Sequence, residues 1–428
     1  MTFADEGKGC IVQNVTSIED PAISVYVGGN LTVKSNSESE GSVVVDGNVI
    51  DSYNMLAGKV IWGMGFYPPA NATMLSVGGN LRTNSSEKYT YVGGNARIGG
   101  TADRLRTATR QHLTEDKYSA FNIQQYTYAN QGPVSIQQRL GKTTALKVDT
   151  DGDGKLDMDY NGYTEKTLIP LADRLKTMPV TGTVSIGRAP NQTDQPIIVS
   201  NEGQKFGLPI DKPGVVLQTI DIVNSGLIMF TGDGQPHTQV FSLDDFQLAD
   251  TANRLKLNGA WDLAFNNIPD GQSIIINVTR TALAMSYIPG WRIWVNGQDY
   301  TTSINKMDES LSKYRSIASR ILWNYPNLPN LVLHPYPEGP GKSISAYTNG
   351  RATYQRVRIV GSALQGTLFP GSILLPRGSF YDYADTNGRI LVGKDMTFDI
   401  WEHHNAPWTG FNEPQCFSVS GKTTASLS

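Results

Sequence analysis

Four short stretches near the N-terminus repeat one pattern: Val27-Gly28-Gly29-Asn30, Val45-Asp46-Gly47-Asn48, Val77-Gly78-Gly79-Asn80 and Val92-Gly93-Gly94-Asn95. Each reads as the end of a β-strand, a glycine corner and an asparagine before another apolar run. Repetition of this kind marks stacked units, because a single short unit cannot bury its own apolar face. Glycine suits such a corner because it lets neighbouring chain segments approach closely. Asparagine there can satisfy backbone groups and ladder with its equivalent one unit away. Counted from Asn30, the intervals are 18, 32 and 15 residues, so the middle gap is long enough for two units. The pattern predicts a mainly β chain, a β-solenoid (β-helix) with flanking α-helices. A sandwich closed by Gly-Asn hairpins is the competing reading.

The rest of the chain fits this frame. Runs such as Ser42-Val43-Val44-Val45 and Thr73-Met74-Leu75-Ser76-Val77 predict strands. Ala102, Leu105, Ala108 and His112 fall at helical spacing, and so do Leu168, Leu171, Ala172 and Leu175 within Thr164 to Met178, a helix stopped by Pro179 and disturbed by Pro170. Apolar alternation returns in Thr183-Val184-Ser185-Ile186, Val215-Val216-Leu217 and Ser273 to Val278. Met307, Leu311, Tyr314, Ile317 and Ile321 have helical spacing ahead of a strand-like run.

Between these helical stretches lies the densest chemical motif, Asp149-Thr150-Asp151-Gly152-Asp153-Gly154-Lys155-Leu156-Asp157-Met158-Asp159. Carboxylates at loop positions 1, 3 and 5, glycine at 6 and an apolar residue at 8 follow the EF-hand pattern, in which hard oxygens wrap Ca2+. Lys155 would offer its carbonyl at position 7, and Asp157 its carboxylate at 9. Tyr160 replaces the bidentate Glu of position 12, a vacancy that Asp159 or Glu165 could fill. The motif predicts a calcium-binding insertion, at about 101–178, that ties to the body of one domain spanning 1–416, with 417–428 as a linker or tail.

Charge and hydropathy exclude several partners. Lys and Arg number 36 against 39 Asp and Glu, a net charge of -3 that leaves no electrostatic footprint for nucleic acid. No apolar run is long enough for a membrane helix, and Met1 to Cys10 lacks the apolar core of a secretory leader. The two cysteines, Cys10 and Cys416, sit near opposite ends of the chain. A disulfide between them would constrain the unfolded chain by about 5 to 6 kcal/mol and would fit an oxidising, extracellular setting; two unrelated thiols are the alternative.

Several stretches together resemble the choice-of-anchor A family of exported bacterial proteins. They are Arg320-Ile321-Leu322-Trp323-Asn324-Tyr325-Pro326, Gly371-Ser372-Ile373-Leu374-Leu375-Pro376, Asn387 to Lys394, Met178-Pro179-Val180-Thr181-Gly182-Thr183-Val184, Val240-Phe241, Asn267 to Gly271, and Glu402-His403-His404-Asn405-Ala406-Pro407-Trp408-Thr409-Gly410. The chain also resembles the ice-binding solenoids, which share a β-helix flanked by a long helix. The resemblance implies a bacterial cell-surface adhesin, carried at the tip of a pilus shaft or on a wall-anchored stalk, that binds a glycan or an extracellular matrix protein without catalysis.

An adhesin needs rigid exposed anchors, for which aromatic side chains serve well. Trp401, His403, His404 and Trp408 form the leading candidate cluster, with a packed cap over the last unit as the alternative; Trp291 or Trp294 is a second, and Trp323 reads as core. His403 and His404 are adjacent and alternate across a strand, so they do not share a metal ion. A calcium-dependent polysaccharide enzyme is the alternative function, but Asp244-Asp245 and Asp308-Glu309 are adjacent in sequence and split across strand faces. Ice binding would need threonines in register, which Thr32, Thr83 and Thr90 do not offer by spacing. A thioester is excluded because Gln415 and Cys416 are neighbours.

Overall fold

The computed structural model describes residues 23–58, 71–107, 136–188, 226–256, 261–279, 285–287, 293–299, 316–333 and 369–408, with short breaks, and the strand segments 2–5, 8–16, 195–199, 216–220, 357–359 and 412–418. Strands dominate and helices are few. Val25–Val27, Leu31–Val33 and Ser37–Ser39 form one unit, each strand ending at a corner that turns the chain into a different sheet. Val43–Val45, Val49–Asp51 and Met55–Ala57 repeat it, then Thr73–Val77, Leu81–Thr83 and Thr90–Val92. Near the C-terminus, Ser372–Leu375, Ser379–Asp382 and Thr386–Asn387 precede Ile390–Val392, Met396–Phe398 and Glu402–His404.

Corresponding strands pair in parallel, giving one ten-stranded and two seven-stranded sheets. The first unit does not lie at an end of the stack. Val25–Val27 pairs with Val43–Val45 on one side and with Ile390–Val392 on the other, so the two halves of the chain meet in mid-sheet. Alternate side chains from all three sheets point inward to a shared core that includes Val25, Val27, Leu31, Val43, Leu75, Trp323, Phe369 and Met396. Trp323 is core as expected, its Nε1 donating to Pro370 O at 2.8 Å.

The corners show why glycine recurs. A Cβ on Gly78 would stand 2.3 Å from Asp46 O, closer than any side chain tolerates. The asparagines ladder: Asn48 N donates to Asn30 Oδ1 (2.9 Å), Asn80 N to Asn48 Oδ1 (2.9 Å) and Thr101 N to Asn80 Oδ1 (2.9 Å). Asp395 continues the row, its Oδ1 accepting from Asn30 N at 2.7 Å.

Two details of the repeat differ from the sequence reading. The corner in line with Gly78-Gly79-Asn80 is Gly99-Gly100-Thr101, where Gly99 N donates to Val77 O and Gly100 N to Gly79 O. Val92-Gly93-Gly94-Asn95 turns the chain at a different edge, from a seven-stranded sheet into the ten-stranded one. The 32-residue gap holds one unit, because Val43–Val45 pairs directly with Leu75, Ser76 and Val77. Equal motif spelling does not distinguish corners that all need close backbone approach.

Thr164–Leu168 is a π-helical turn that leads into the α-helix Ile169–Lys176. Pro170 has no N–H, which accounts for the widened turn before it, closed by Ile169 N donating to Thr164 O. Leu168, Leu171, Ala172 and Leu175 pack on Tyr26, Val44, Ile275, Leu322, Leu374 and Leu391, the outward residues of the ten-stranded sheet. Asn277 Nδ2 donates to Leu175 O (2.9 Å) and Asn324 Nδ2 to Ala172 O (3.0 Å), fixing the helix end on that sheet. The ten-stranded sheet is thus covered on both faces.

The predicted strands Thr183–Arg188, Val216–Ile220 and Ile274–Val278 are present. Leu105, expected in a helix, lies in the strand Leu105–Thr107, paired with Thr90–Val92. Ala108 and His112 lie outside the described residues, as do Met307, Leu311 and Tyr314, while Ile321 begins a strand. Strands Lys8–Thr16 and Asn412–Ser418 pair antiparallel and bring the two ends of the chain together. Cys10 faces Ser418, however, and Cys416 faces Val12, two residues out of register. The cysteine side chains lie outside the described residues.

Candidate ligand-binding face

With the ten-stranded sheet covered, the two seven-stranded sheets carry the outward rows. In the first, strands present one residue outward between buried neighbours, as Thr32 between Leu31 and Val33 and Thr397 between Met396 and Phe398. Pairing sets these residues side by side in the order Arg82, Ile50, Thr32, Thr397, Tyr381, Val332. All six are at least partly exposed. At about 4.8 Å per strand the row runs about 24 Å across strands from both halves of the chain.

Tyr381 is held within this face. Lys34 Nζ donates to Tyr381 Oη at 3.0 Å and lies 4.9 Å from the ring centroid. Tyr381 Oη in turn donates to Asp399 Oδ2 at 3.3 Å. Burial pushes the Asp399 carboxyl up, opposed by the hydrogen bond from Tyr381 and the charge of Lys34. A tethered phenol beside two threonines and two aliphatic side chains offers a rigid apolar surface edged with hydroxyl groups, suited to stacking on a saccharide and bonding its hydroxyls. Nothing in the linear spacing reveals this row, because its members come from residues 32 to 397 and become neighbours only through the mid-sheet junction.

The cluster chosen from sequence is placed differently. His403 is fully buried: its Nδ1 is 2.7 Å from Thr386 Oγ1 and its Nε2 2.9 Å from Ser24 Oγ. Desolvation, with smaller contributions from His404 and Arg389, pushes its pKa down to about 3. His404 and Trp408 are buried too, Trp408 in the core beneath the covering helix. These three therefore offer no free face to a ligand, because the last unit is stacked on the first and is not an exposed cap. Trp401 and Trp291 lie outside the described residues, and Trp294 is half-buried with Nε1 donating to Asp262 Oδ2 at 3.1 Å.

In the aspartate loop the ligand atoms of Asp149, Asp151 and Asp153 lie within 4.8 Å of one another. Asp149 is buried, and its carboxylate accepts from Gly152 N (2.6 Å) and Gly154 N (2.8 Å), both glycines at positive φ. The other named ligands are elsewhere. Asp157 accepts from Thr150 N and Oγ1, Asp159 from Asn161 N, and Lys155 Nζ sits 2.9 Å from Asp153 Oδ2. Tyr160, at the twelfth position, is buried in the core against Tyr26. Lys147–Val148 and Met158–Asp159 pair as a hairpin across the loop, where an EF-hand would begin its second helix. The loop is tied to the body through Thr73 N, which donates to Asp149 O at 2.8 Å.

The family described as an ice-binding-like adhesive domain matches residues 23–339 of the chain. No curated protein matches it. Among the described residues, no helix is long and apolar enough to cross a membrane.

Proposed function

The chain belongs to the ice-binding-like adhesive domain family, and from that premise we propose that it is a non-catalytic cell-surface adhesin whose three parallel sheets are the faces of one β-solenoid. Membership in an adhesive-domain family supports the surface role; the match is not to choice-of-anchor A, whose attachment to a pilus or wall stalk stays part of the proposal. The observation that carries the reading is the exposed row Arg82, Ile50, Thr32, Thr397, Tyr381 and Val332. We assign it to a glycan or the glycan-like surface of a matrix protein, gripped by stacking on Tyr381 and by hydroxyl contacts from Thr32 and Thr397. Ice is the weaker ligand: the two facing threonines are bounded by Tyr381 on one side and by Ile50 and Arg82 on the other, whose bulk interrupts a regular hydroxyl lattice.

We further propose that Asp149, Asp151 and Asp153 hold Ca2+ in a structural role. Their converging oxygens and the two positive-φ glycines support this, and the hairpin closes around the loop.

A glycan and matrix-protein binding screen, run with and without chelator, tests both ideas. Binding that survives chelation, weakens at least tenfold in Tyr381→Ser and leaves the polymer uncut fits the reading. Depolymerisation of the glycan, or binding indifferent to Tyr381→Ser, refutes it.

A further inference from the structure

A second surface lies around the corner from the row, where the strand Leu81–Thr83 leads to Thr90–Val92. Tyr91 is the outward middle residue of the latter strand, and Tyr89 immediately precedes it; both are half-exposed, with ring centroids 6.1 Å apart and planes tilted by 50°. Arg104, on the adjacent unit, places its guanidinium 5.5 Å from the Tyr89 ring centroid. It does so from a backbone φ of 43°, in the left-handed region that an arginine enters at a cost, while its carbonyl accepts from Thr90 N at 3.1 Å. Arg104 is exposed and Lys88 partly so; among the described residues, Asp103 is an exposed acid beside them. The corner thus sets an aromatic platform beside two cations, Arg104 and Lys88.

We propose that this corner is a distinct binding site for an acidic saccharide, one whose sugar ring carries a carboxylate. Tyrosine faces stack on the C–H surface of a pyranose. A guanidinium lying over an aromatic ring keeps its N–H edge available to a carboxylate, which it can grip through two parallel hydrogen bonds. Lys88 adds a second cation without demanding geometry. A neutral sugar would use the tyrosines alone, and an acidic peptide would use the cations alone; the combination selects a charged sugar. This inference does not rest on the function assigned to the flat row, since none of Tyr89, Tyr91, Lys88 and Arg104 belongs to that row.

Isothermal titration of the whole chain with oligogalacturonate, its methyl ester and oligoglutamate tests the site. Binding of the acid, at least tenfold weaker binding of the ester and of oligoglutamate, and weakening of acid binding at higher salt are expected. Arg104→Asn removes the cation while suiting the left-handed backbone, and it should cut affinity at least tenfold without loss of fold; Tyr91→Leu should do the same. Tyr381→Ser should leave this binding unchanged, which separates the site from the flat row. Equal binding of acid and ester, equal or tighter binding of oligoglutamate, indifference to Arg104→Asn, or no binding of oligogalacturonate would overturn the proposal.

Discussion

Replacing Gly78 by alanine tests the stacking of units at its tightest point. The added Cβ would lie 2.3 Å from Asp46 O and 3.1 Å from both Asp46 C and Lys142 Cγ. An ordinary contact needs at least about 1 Å more, so the corner must move away from its neighbour. Movement stretches two backbone bonds that hold these corners together, Gly78 N to Val45 O and Gly79 N to Gly47 O, each 2.8 Å. Overpacking of this kind costs about 1–3 kcal/mol, and one weakened hydrogen bond adds about 1 kcal/mol. We expect a loss of about 3 kcal/mol. With unfolding entropy near 2.1 cal/mol/K per residue, a chain of this length should melt about 3 °C lower. Gly187→Ala is the matched control, because its Cβ meets nothing within 4 Å and its φ is not positive; it should be neutral or stabilising by up to about 1 kcal/mol. Differential scanning calorimetry of the pair under one set of conditions is the assay. Gly78→Ala melting with the wild type would show that the corners are not in close contact and would refute the stacked arrangement.

Asn48→Ala removes the acceptor for Asn80 N and the donor to Asn30 Oδ1; denaturant titration should show a loss of about 1–2 kcal/mol. The stability profile should fall in acid because of His403. Its folded pKa of about 3 lies below the ordinary 6.5, so its contribution is complete above pH 6.5 and lost as pH drops toward 3. Asp51, buried and raised to about 6, opposes this: its contribution is present below about pH 4 and lost as pH rises to about 6. Denaturant midpoints measured from pH 3 to 7 should therefore show His403→Gln with a flatter acid limb than wild type, and an equally steep limb would contradict the assignment. Adding Ca2+ to chelated protein should raise the melting temperature, an effect abolished in Asp149→Asn. Because Cys10 stands opposite Ser418 and Cys416 opposite Val12, two positions out of register on the paired strands, thiol titration of the unreduced, denatured chain should find two thiols.

Much of the fold was legible because its signals are local. Glycine corners, laddering asparagines and the apolar stripe from Leu168 to Leu175 each follow from residues within one turn or one unit, and the structure bears out all three, with Asn30, Asn48 and Asn80 in the ladder. Asn95 belongs to another corner, since its spelling matches but its geometric role does not. The order of stacking was not legible. No pattern within Val25–Val27 announces that Ile390–Val392 lies beside it, because parallel pairing needs only matching apolar alternation on both strands. The candidate face was hidden for the same reason: Thr32 and Thr397 are 365 residues apart in the chain and direct neighbours in the sheet. Conversely, the closing His-His and Trp408 stretch reads as a binding cluster when the last unit is imagined as an end. Its burial follows once the first unit is seen to cover it.

Hydroxyl-radical footprinting of the chain saturated with the glycan selected by the binding screen tests the central claim most directly. The account predicts that Ile50, Tyr381 and Val332 lose reactivity together, although they lie far apart in sequence, while Leu156 and Val180, exposed and away from the row, keep theirs. Protection confined to one half of the chain, or falling outside the row altogether, would contradict it.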